Sequence, residues 1–336
     1  MVMTDTYLTS TDSVNKCAVC DRSVHEGSHV AIIVPIYKSQ KHINPLVLRL
    51  NALNDEIPGG LRVTFVIDGS PDSSADELDR LASKMTFSSR VVDLSRNFGV
   101  SAAVHAGLQH TKACVVVVVG SDLQEPQRLV VRFIEEVCSG SADVVIGSRL
   151  SRDDPRLSRM SSAIYWFILR KIMNSDVPPG GFDVFALSPR AQEALSTFRE
   201  LNSNITSQVQ WIGMRRIDVP YHRNQRVEGK SSWTVRKKFK LMLDSIYGFS
   251  GFPLVVITFL GTVSLAIFSL VALLTGVGVV LNLVQVRGYP TLILIVMIGF
   301  SAVISSLGIV GGYLYRTFDN TKGRPLFIVR DEYELS

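Results

Sequence analysis

The sequence predicts an α/β protein: a mainly parallel sheet flanked by helices, then an amphipathic helix at a membrane surface, then two transmembrane helices. Three observations lead there. Strand-like and helix-like segments alternate from Val30 to Gly147, the pattern of strands joined by crossover helices. One strand is an unbroken run, Val115 to Val119, and a continuous β-branched run is what a strand buried on both faces looks like. No Asp, Glu, Lys or Arg occurs from Ser245 to Val286 or from Gly288 to Tyr315, and each stretch holds the roughly 20 apolar residues that a bilayer-spanning helix needs.

The elements follow in order. Val30–Pro35 reads as a first strand, and Ile43–Leu53 has helical spacing. Arg62–Ile67 is a second strand, ending in Asp68-Gly69-Ser70-Pro71-Asp72. Asp76–Lys84 reads as a helix, Arg90–Leu94 as a short strand and Ser101–His110 as a helix leading to the valine strand. Pro126–Cys138 is helical, Asp143–Gly147 is a strand, and Val177-Pro178-Pro179-Gly180-Gly181-Phe182-Asp183 is a breaker cluster opening the strand Val184–Leu187. The sheet is Rossmann-like in the loose sense, but no G-x-G-x-x-G fingerprint is present, which disfavours a dinucleotide dehydrogenase.

Helices are expected near Pro253–Val280 and Pro290–Tyr315. Arg236, Lys237, Lys238 and Lys240 precede the first, Arg316, Lys322, Arg324 and Arg330 follow the second, and the loop between carries only Arg287. Basic residues flank the cytoplasmic ends of spans, so the soluble domain and both termini are expected on the cytoplasmic side of a bacterial-type plasma membrane. Trp233, Val235, Phe239, Leu241 and Met242 interleave with the bases as in an interfacial helix. This belt accounts for most of the net charge of +5 and selects membrane lipid as partner rather than nucleic acid. The first 28 residues are polar, without the apolar core of a signal peptide. Cys17, Cys20, Cys114 and Cys138 are expected to be reduced thiols, with no second pair to complete a zinc site after Cys17-x-x-Cys20. The expected divisions are a tail over 1–28, a catalytic domain over 29–225, a juxtamembrane segment over 226–250, a two-helix hairpin over 251–316 and a cytoplasmic tail over 317–336.

The candidate site begins where the valine strand ends, in Gly120-Ser121-Asp122-Leu123-Gln124-Glu125-Pro126. Open α/β sheets bind ligands at such strand ends. A carboxylate there can hold a hard cation, and through it phosphates; equally, Asp122 could be an ordinary helix cap. Arg149, Arg152, Arg156 and Arg159 either line a phosphate site or form a solvated loop. Asp183 reads as catalytic or structural, and Arg226 and Lys230 stand beside a glycine within reach of a phosphate.

With these residues in view, the chain resembles the membrane-anchored polyprenyl-phosphate glycosyltransferases of glycosyltransferase family 2. The resemblance is carried in order by Val34-Pro35-Ile36-Tyr37, Ile67-Asp68-Gly69-Ser70, Ser95-Arg96-Asn97-Phe98-Gly99, Asp122-Leu123-Gln124-Glu125-Pro126, Gly147-Ser148-Arg149, Gly181-Phe182-Asp183 and Arg226-x-x-Gly229-Lys230-Ser231-Ser232-Trp233. It implies a GT-A type fold and inverting transfer of a sugar from a nucleotide-diphosphate sugar to a polyprenyl phosphate, undecaprenyl or dolichyl. It implies that Pro35, Tyr37 and Asp68 line the nucleotide pocket and that Asp122 and Gln124 hold Mg²⁺ or Mn²⁺ on the donor diphosphate. Arg226 and Lys230 would close over that diphosphate, Asp183 would act as catalytic base or orienting group beside Asp122, and Arg149, Arg156 and Arg159 would receive the lipid phosphate. A homo-oligomer is compatible with the family.

The chain also departs from the family pattern. Gly120 stands where the first Asp of Asp-x-Asp is usual, Ile67 where the first of paired aspartates precedes Gly-Ser, and Lys38-Ser39 where Asn-Glu is usual. The alternatives are a transferase with a hydroxyl lipid acceptor, a glycolipid synthase, and a membrane scaffold whose catalysis is impaired at Gly120 and Ile67.

Overall fold

The computed structural model describes residue 17 and residues 29–122, 124–149, 182–201, 203–222, 252–281 and 288–335. Arg152, Arg156, Arg159, Arg226, Lys230 and the expected interface helix lie outside them.

Strands β1 (Val30–Ile36), β2 (Leu61–Ile67), β3 (Ser88–Leu94), β4 (Val115–Val118), β5 (Val144–Arg149), β6 (Phe185–Leu187), β7 (Arg216–Tyr221) and β8 (Val329–Leu335) form one sheet in the order β7-β5-β6-β4-β1-β2-β3-β8. β1 runs parallel to β2 and β4, β2 to β3, and β5 to β7; β6 runs antiparallel to β4 and β5, and β8 to β3. The sheet is therefore mixed and mostly parallel, as the alternating pattern implies.

Alternation along β1 sorts the helices into two layers. Ile32, Val34 and Ile36 face α1 (Gln40–Glu56), α2 (Ser74–Leu81) and α4 (Gln127–Cys138), where Leu46, Leu78 and Phe133 are fully buried. Ala31 and Ile33 face α3 (Val100–His110), α5 (Pro189–Ser196) and α6 (Ile205–Trp211). The valine strand is buried throughout because it feeds both layers: Val115 and Val117 join one core, Val116 and Val118 the other. On the second face α3 packs close to the sheet, since a Cβ on Gly107 would fall 2.4 Å from Cγ2 of Ile33.

Chain order runs β1, β2, β3 to one side and then returns to place β4 on the other side of β1. The crevice between the carboxyl ends of β1 and β4 is thus a topological switch point, where open α/β sheets take their ligands. Because β6 is antiparallel, its amino end, next to Asp183, lies at this same sheet edge.

Two expectations need correction. Residues 317–336 are not a free tail: the last long helix runs on to Thr321, and Val329–Leu335 returns to the sheet beside β3. Its apolar side chains recur at every second position, Val329, Tyr333 and Leu335 with Asp331 interrupting, and that charge hides the strand period. Arg90 reaches Glu332 at 2.9 Å and Glu334 at 3.1 Å, Tyr333 donates to Asp79 at 3.1 Å, and Arg330 pairs with Asp93. Residues before 236 and from 325 onward accordingly form one compact unit. The second correction is Cys114, which is disulfide-bonded rather than a reduced thiol. Cys114 is buried at the start of β4, and sequence spacing carries no information about which thiols the fold brings within reach. A hydrogen bond donated to Cys17, together with burial, pushes the Cys138 thiol up.

The other compact unit, residues 236–324, contains α7 (Phe252–Val280) and α8 (Tyr289–Thr321), of 29 and 33 residues. Among the described residues one stretch, Ile298–Thr321, is long and apolar enough by composition to cross a bilayer, and none of it is buried. Its Phe300, Leu307 and Leu314 are exposed.

Candidate active site

Three loops meet at the switch point, and hydroxyl groups join them. Ser39, after β1, lies with its Oγ 2.8 Å from Ser121 Oγ, after β4. Lys38 N–H donates to Ser70 Oγ, after β2, at 2.7 Å. Asp72 accepts from Ser70 Oγ at 2.5 Å, Ser74 Oγ at 2.6 Å and the Gln40 N–H at 3.2 Å. Burial opposes ionisation of Asp72, but these donors outweigh it and hold its carboxyl below the ordinary carboxylate range.

Pro35 and Tyr37, expected in the nucleotide pocket, stand at the end of β1, half-buried and exposed respectively. Asp68 sits at the end of β2 with only 3% of its surface exposed. Its carboxylate accepts from the N–H groups of Phe98 at 2.7 Å and Gly99 at 2.9 Å and from Asn97 Nδ2 at 2.9 Å. Burial pushes its carboxyl up, although these N–H groups and Arg96 pull the other way. Its visible work is to clasp the Asn97–Gly99 segment to the end of β2. Gly69 permits that approach: its φ is +54°, and a Cβ there would fall 2.2 Å from the Arg96 carbonyl carbon.

Asp122 and Gln124 both follow β4, Asp122 half-buried and Gln124 buried. The Glu125 carboxylate is buried beside them, and its backbone carbonyl accepts from Arg49 of α1. Burial lowers the Arg49 pKa, and Glu125 opposes that. A Cβ at Gly120 would stand 3.0 Å from Asp122 Oδ1 and 3.9 Å from Glu125 Oε1. The missing first aspartate would thus project between two carboxylates. Below it lies a cavity of about 20 Å³ lined by Arg49, Gly120 and Glu125 among others, about the space of one water. Among the described residues no cluster of three His, Cys, Asp or Glu side chains could hold a metal. A carboxylate and an amide oxygen are nonetheless hard donors that suit Mg²⁺, which completes its shell with water and substrate phosphates.

Arg149 and Asp183 meet at the same edge. β5 and β6 pair antiparallel with Ile146 opposite Phe185, so three residues further along β5 lie next to the residues entering β6. Arg149 Nη2 pairs with Asp183 Oδ2, and Arg149 Nε donates to Tyr221 Oη at 3.4 Å. The guanidinium is 5% exposed and the carboxylate 57%. A buried guanidinium with an exposed partner is a cation that an incoming anion can share with the carboxylate or take over by displacing it.

The structure therefore gathers Pro35, Tyr37, Asp68, Asp122, Gln124, Arg149 and Asp183 on one sheet edge. Arg49 and Tyr221 carried no signal in the sequence, whereas Ser121 and Glu125 lie within the strand-end motif and Ser39 two residues after Tyr37. The Glycosyl transferase family 2 model matches residues 31–198, from β1 through α5, the span that builds this edge. The chain belongs to glycosyltransferase family 2. The family's members similar to it include the putative glycosyltransferase CsbB of Bacillus subtilis, 30% identical over 90% of this chain and 91% of that one. The bactoprenol glucosyl transferase of Shigella phage SfX is 28% identical over 90% of this chain and 98% of that one. Among solved structures, the mannosyltransferase PcManGT of Pyrobaculum calidifontis in complex with GDP-Man and Mn²⁺ is 16% identical, covers 88% of this chain and 92% of that one, and superposes with a TM-score of 0.46.

Proposed function

We propose that this family 2 glycosyltransferase moves a sugar with inversion from a nucleotide-diphosphate sugar to a polyprenyl phosphate at the cytoplasmic membrane face. The observation that carries the reading is the placement of the Arg149–Asp183 pair on the same sheet edge as Asp122 and Gln124. A cationic group for a second phosphate therefore stands beside the residues suited to a donor diphosphate. The similarity to proteins named bactoprenol glucosyl transferases supports a polyprenol acceptor.

The chemical difficulty is the leaving diphosphate, which gathers negative charge. Preorganised cations at that position lower the barrier. Asp122 and Gln124 would hold Mg²⁺ or Mn²⁺, which when bound supplies positive charge to the departing phosphates. By resemblance, Arg226 and Lys230 would add to it, and Arg156 and Arg159 would assist Arg149 with the lipid phosphate. The nucleophile is a phosphate monoester, dianionic at neutral pH because its second pKa is about 6, so no strong base is required. Asp183, already bound to Arg149, orients the acceptor: it holds the guanidinium in place and gives up part of that contact when the phosphate arrives.

Membrane attachment fits the chain path. β8 shares a sheet with the strands that precede α7, so the segment between them leaves one soluble unit and returns to it. Such a segment crosses a bilayer an even number of times. This supports α7 and α8 as a two-span hairpin with both termini on one side, and the basic flanks make that side cytoplasmic.

Membranes containing the protein, supplied with radiolabelled nucleotide sugars and undecaprenyl or dolichyl phosphate, should form a lipid-linked sugar released by mild acid. An acid-stable glycolipid would instead select a hydroxyl acceptor, and donor binding without turnover a scaffold.

A further inference from the structure

Lys38 is the one residue other than glycine with positive φ among the described residues, at +53°. An L-residue in that region costs about 1 kcal/mol or more, so the surroundings must hold it there. They do so from both sides. Its N–H is taken by Ser70 Oγ at 2.7 Å; the next residue, Ser39, is buried against Ser121; and the Gln40 N–H is taken by Asp72. The side chain is exposed at the mouth of the crevice, with its ammonium 5.5 Å from the centroid of the Tyr37 ring. Backbone strain maintained at a ligand-binding edge points to a function for the side chain it aims.

The charges around it make that function specific. The Asp68 and Asp72 carboxylates are each occupied by donors of the protein, and Gly120 contributes none. Lys38 brings a positive charge to this mouth, and Ser39, Ile67 and Gly120 bring no negative one.

We propose that Lys38 is a contact for the donor diphosphate and carries part of the charge neutralisation that would otherwise fall to a divalent metal. Nucleoside diphosphate binding by this chain then survives removal of divalent cations. The inference rests on the reading of this crevice as the donor site.

The test is equilibrium binding of UDP, GDP and ADP to the full-length protein in detergent, with saturating Mg²⁺ and with excess EDTA. Wild type should bind at least one of them in both conditions, with affinity in EDTA within about tenfold of that in Mg²⁺. Loss of one charge-assisted phosphate contact should make Lys38→Met about tenfold weaker in EDTA and less affected in Mg²⁺. Lys38→Arg should retain binding, and the parent nucleoside, lacking phosphate, should bind Lys38→Met and wild type alike. Lys38→Gly separates this from a structural role, because it should raise the melting temperature by relieving strain while weakening nucleoside diphosphate. The proposal is overturned if wild-type binding vanishes in EDTA, or if Lys38→Met and wild type bind equally there. Failure of wild type to bind any of the three in Mg²⁺ would overturn the donor reading itself.

Discussion

The buried Arg149 guanidinium and the exposed Asp183 carboxylate form an ion pair where β5 ends and β6 begins. Residues 34 positions apart are brought together by the antiparallel insertion of β6 into an otherwise parallel region. The pair gives the sheet edge a cation whose exposed counter-charge can turn toward solvent or substrate.

Arg149→Ala should weaken use of polyprenyl phosphate while sparing the donor. Loss of one charge-assisted phosphate contact should lower kcat/KM for the lipid about 10- to 100-fold, with the KM for nucleotide sugar little changed. Asp183→Asn keeps the shape but not the charge, and should lower kcat more than it raises either KM. Steady-state kinetics with each substrate varied in turn would check both; an equal loss toward donor and lipid in Arg149→Ala would contradict the assignment.

Asp122→Ala should abolish the stimulation of transfer by Mg²⁺ or Mn²⁺, with a loss of kcat of about 100-fold or more. Gly120→Asp should tighten metal binding, since its carboxylate would join those of Asp122 and Glu125. The 3.0 Å approach to Asp122 Oδ1 adds a cost: without metal the clustered carboxylates repel, so the variant should melt below wild type in EDTA and recover in Mg²⁺. Thermal unfolding across a metal titration reads both effects.

His105 links stability to pH. It is buried between α3 and α6 with Nε2 2.7 Å from Gln208 Oε1, and its Nδ1 has no hydrogen-bond partner among the described residues. Burial holds its pKa below the usual histidine value, although Gln208 pulls upward. The folded state thus resists a proton that the unfolded chain accepts. Stability from this group is present above the unfolded value of about 6.5 and is lost as pH falls from there toward the depressed folded value, by at most about 1.4 kcal/mol per pH unit. Denaturant unfolding between pH 8 and pH 5 should show that slope, and His105→Gln should flatten it.

The β8 strand should be integral to the domain. Arg330 pairs with an Asp93 that is 9% exposed and whose Oδ1 has no hydrogen-bond partner among the described residues. Removing Arg330 leaves a nearly buried carboxylate uncompensated, so Arg330→Met should cost about 1–3 kcal/mol. Truncation after residue 324 should cost more, because it also removes the pairing with β3 and exposes a new edge. Melting temperatures would rank wild type, Arg330→Met and the truncation in that order.

The sheet was legible because its strands are apolar and its helices periodic: the ends of β1, β2, β4 and β5 fall within a few residues of the positions read from pattern. β8 was not, since Asp331 interrupts its alternation on an exposed edge, where charge costs little; β7 alternates regularly but is only six residues long and carries two charges. Asp122 and Arg149 were legible as strand-end polar residues. What Asp68 does was not, because only the fold shows that its carboxylate is spent on the backbone of another loop. Cys114 shows the same limit: spacing along the chain does not give distance in space.

The central claim is that one sheet edge joins a donor diphosphate to a lipid phosphate. Purified protein, the donor that turns over and polyprenyl phosphate can be followed by phosphorus NMR. Conversion of the phosphomonoester resonance to a phosphodiester, with nucleoside diphosphate released in equal amount, is the predicted result. Nucleoside diphosphate release with the phosphomonoester unchanged would contradict it.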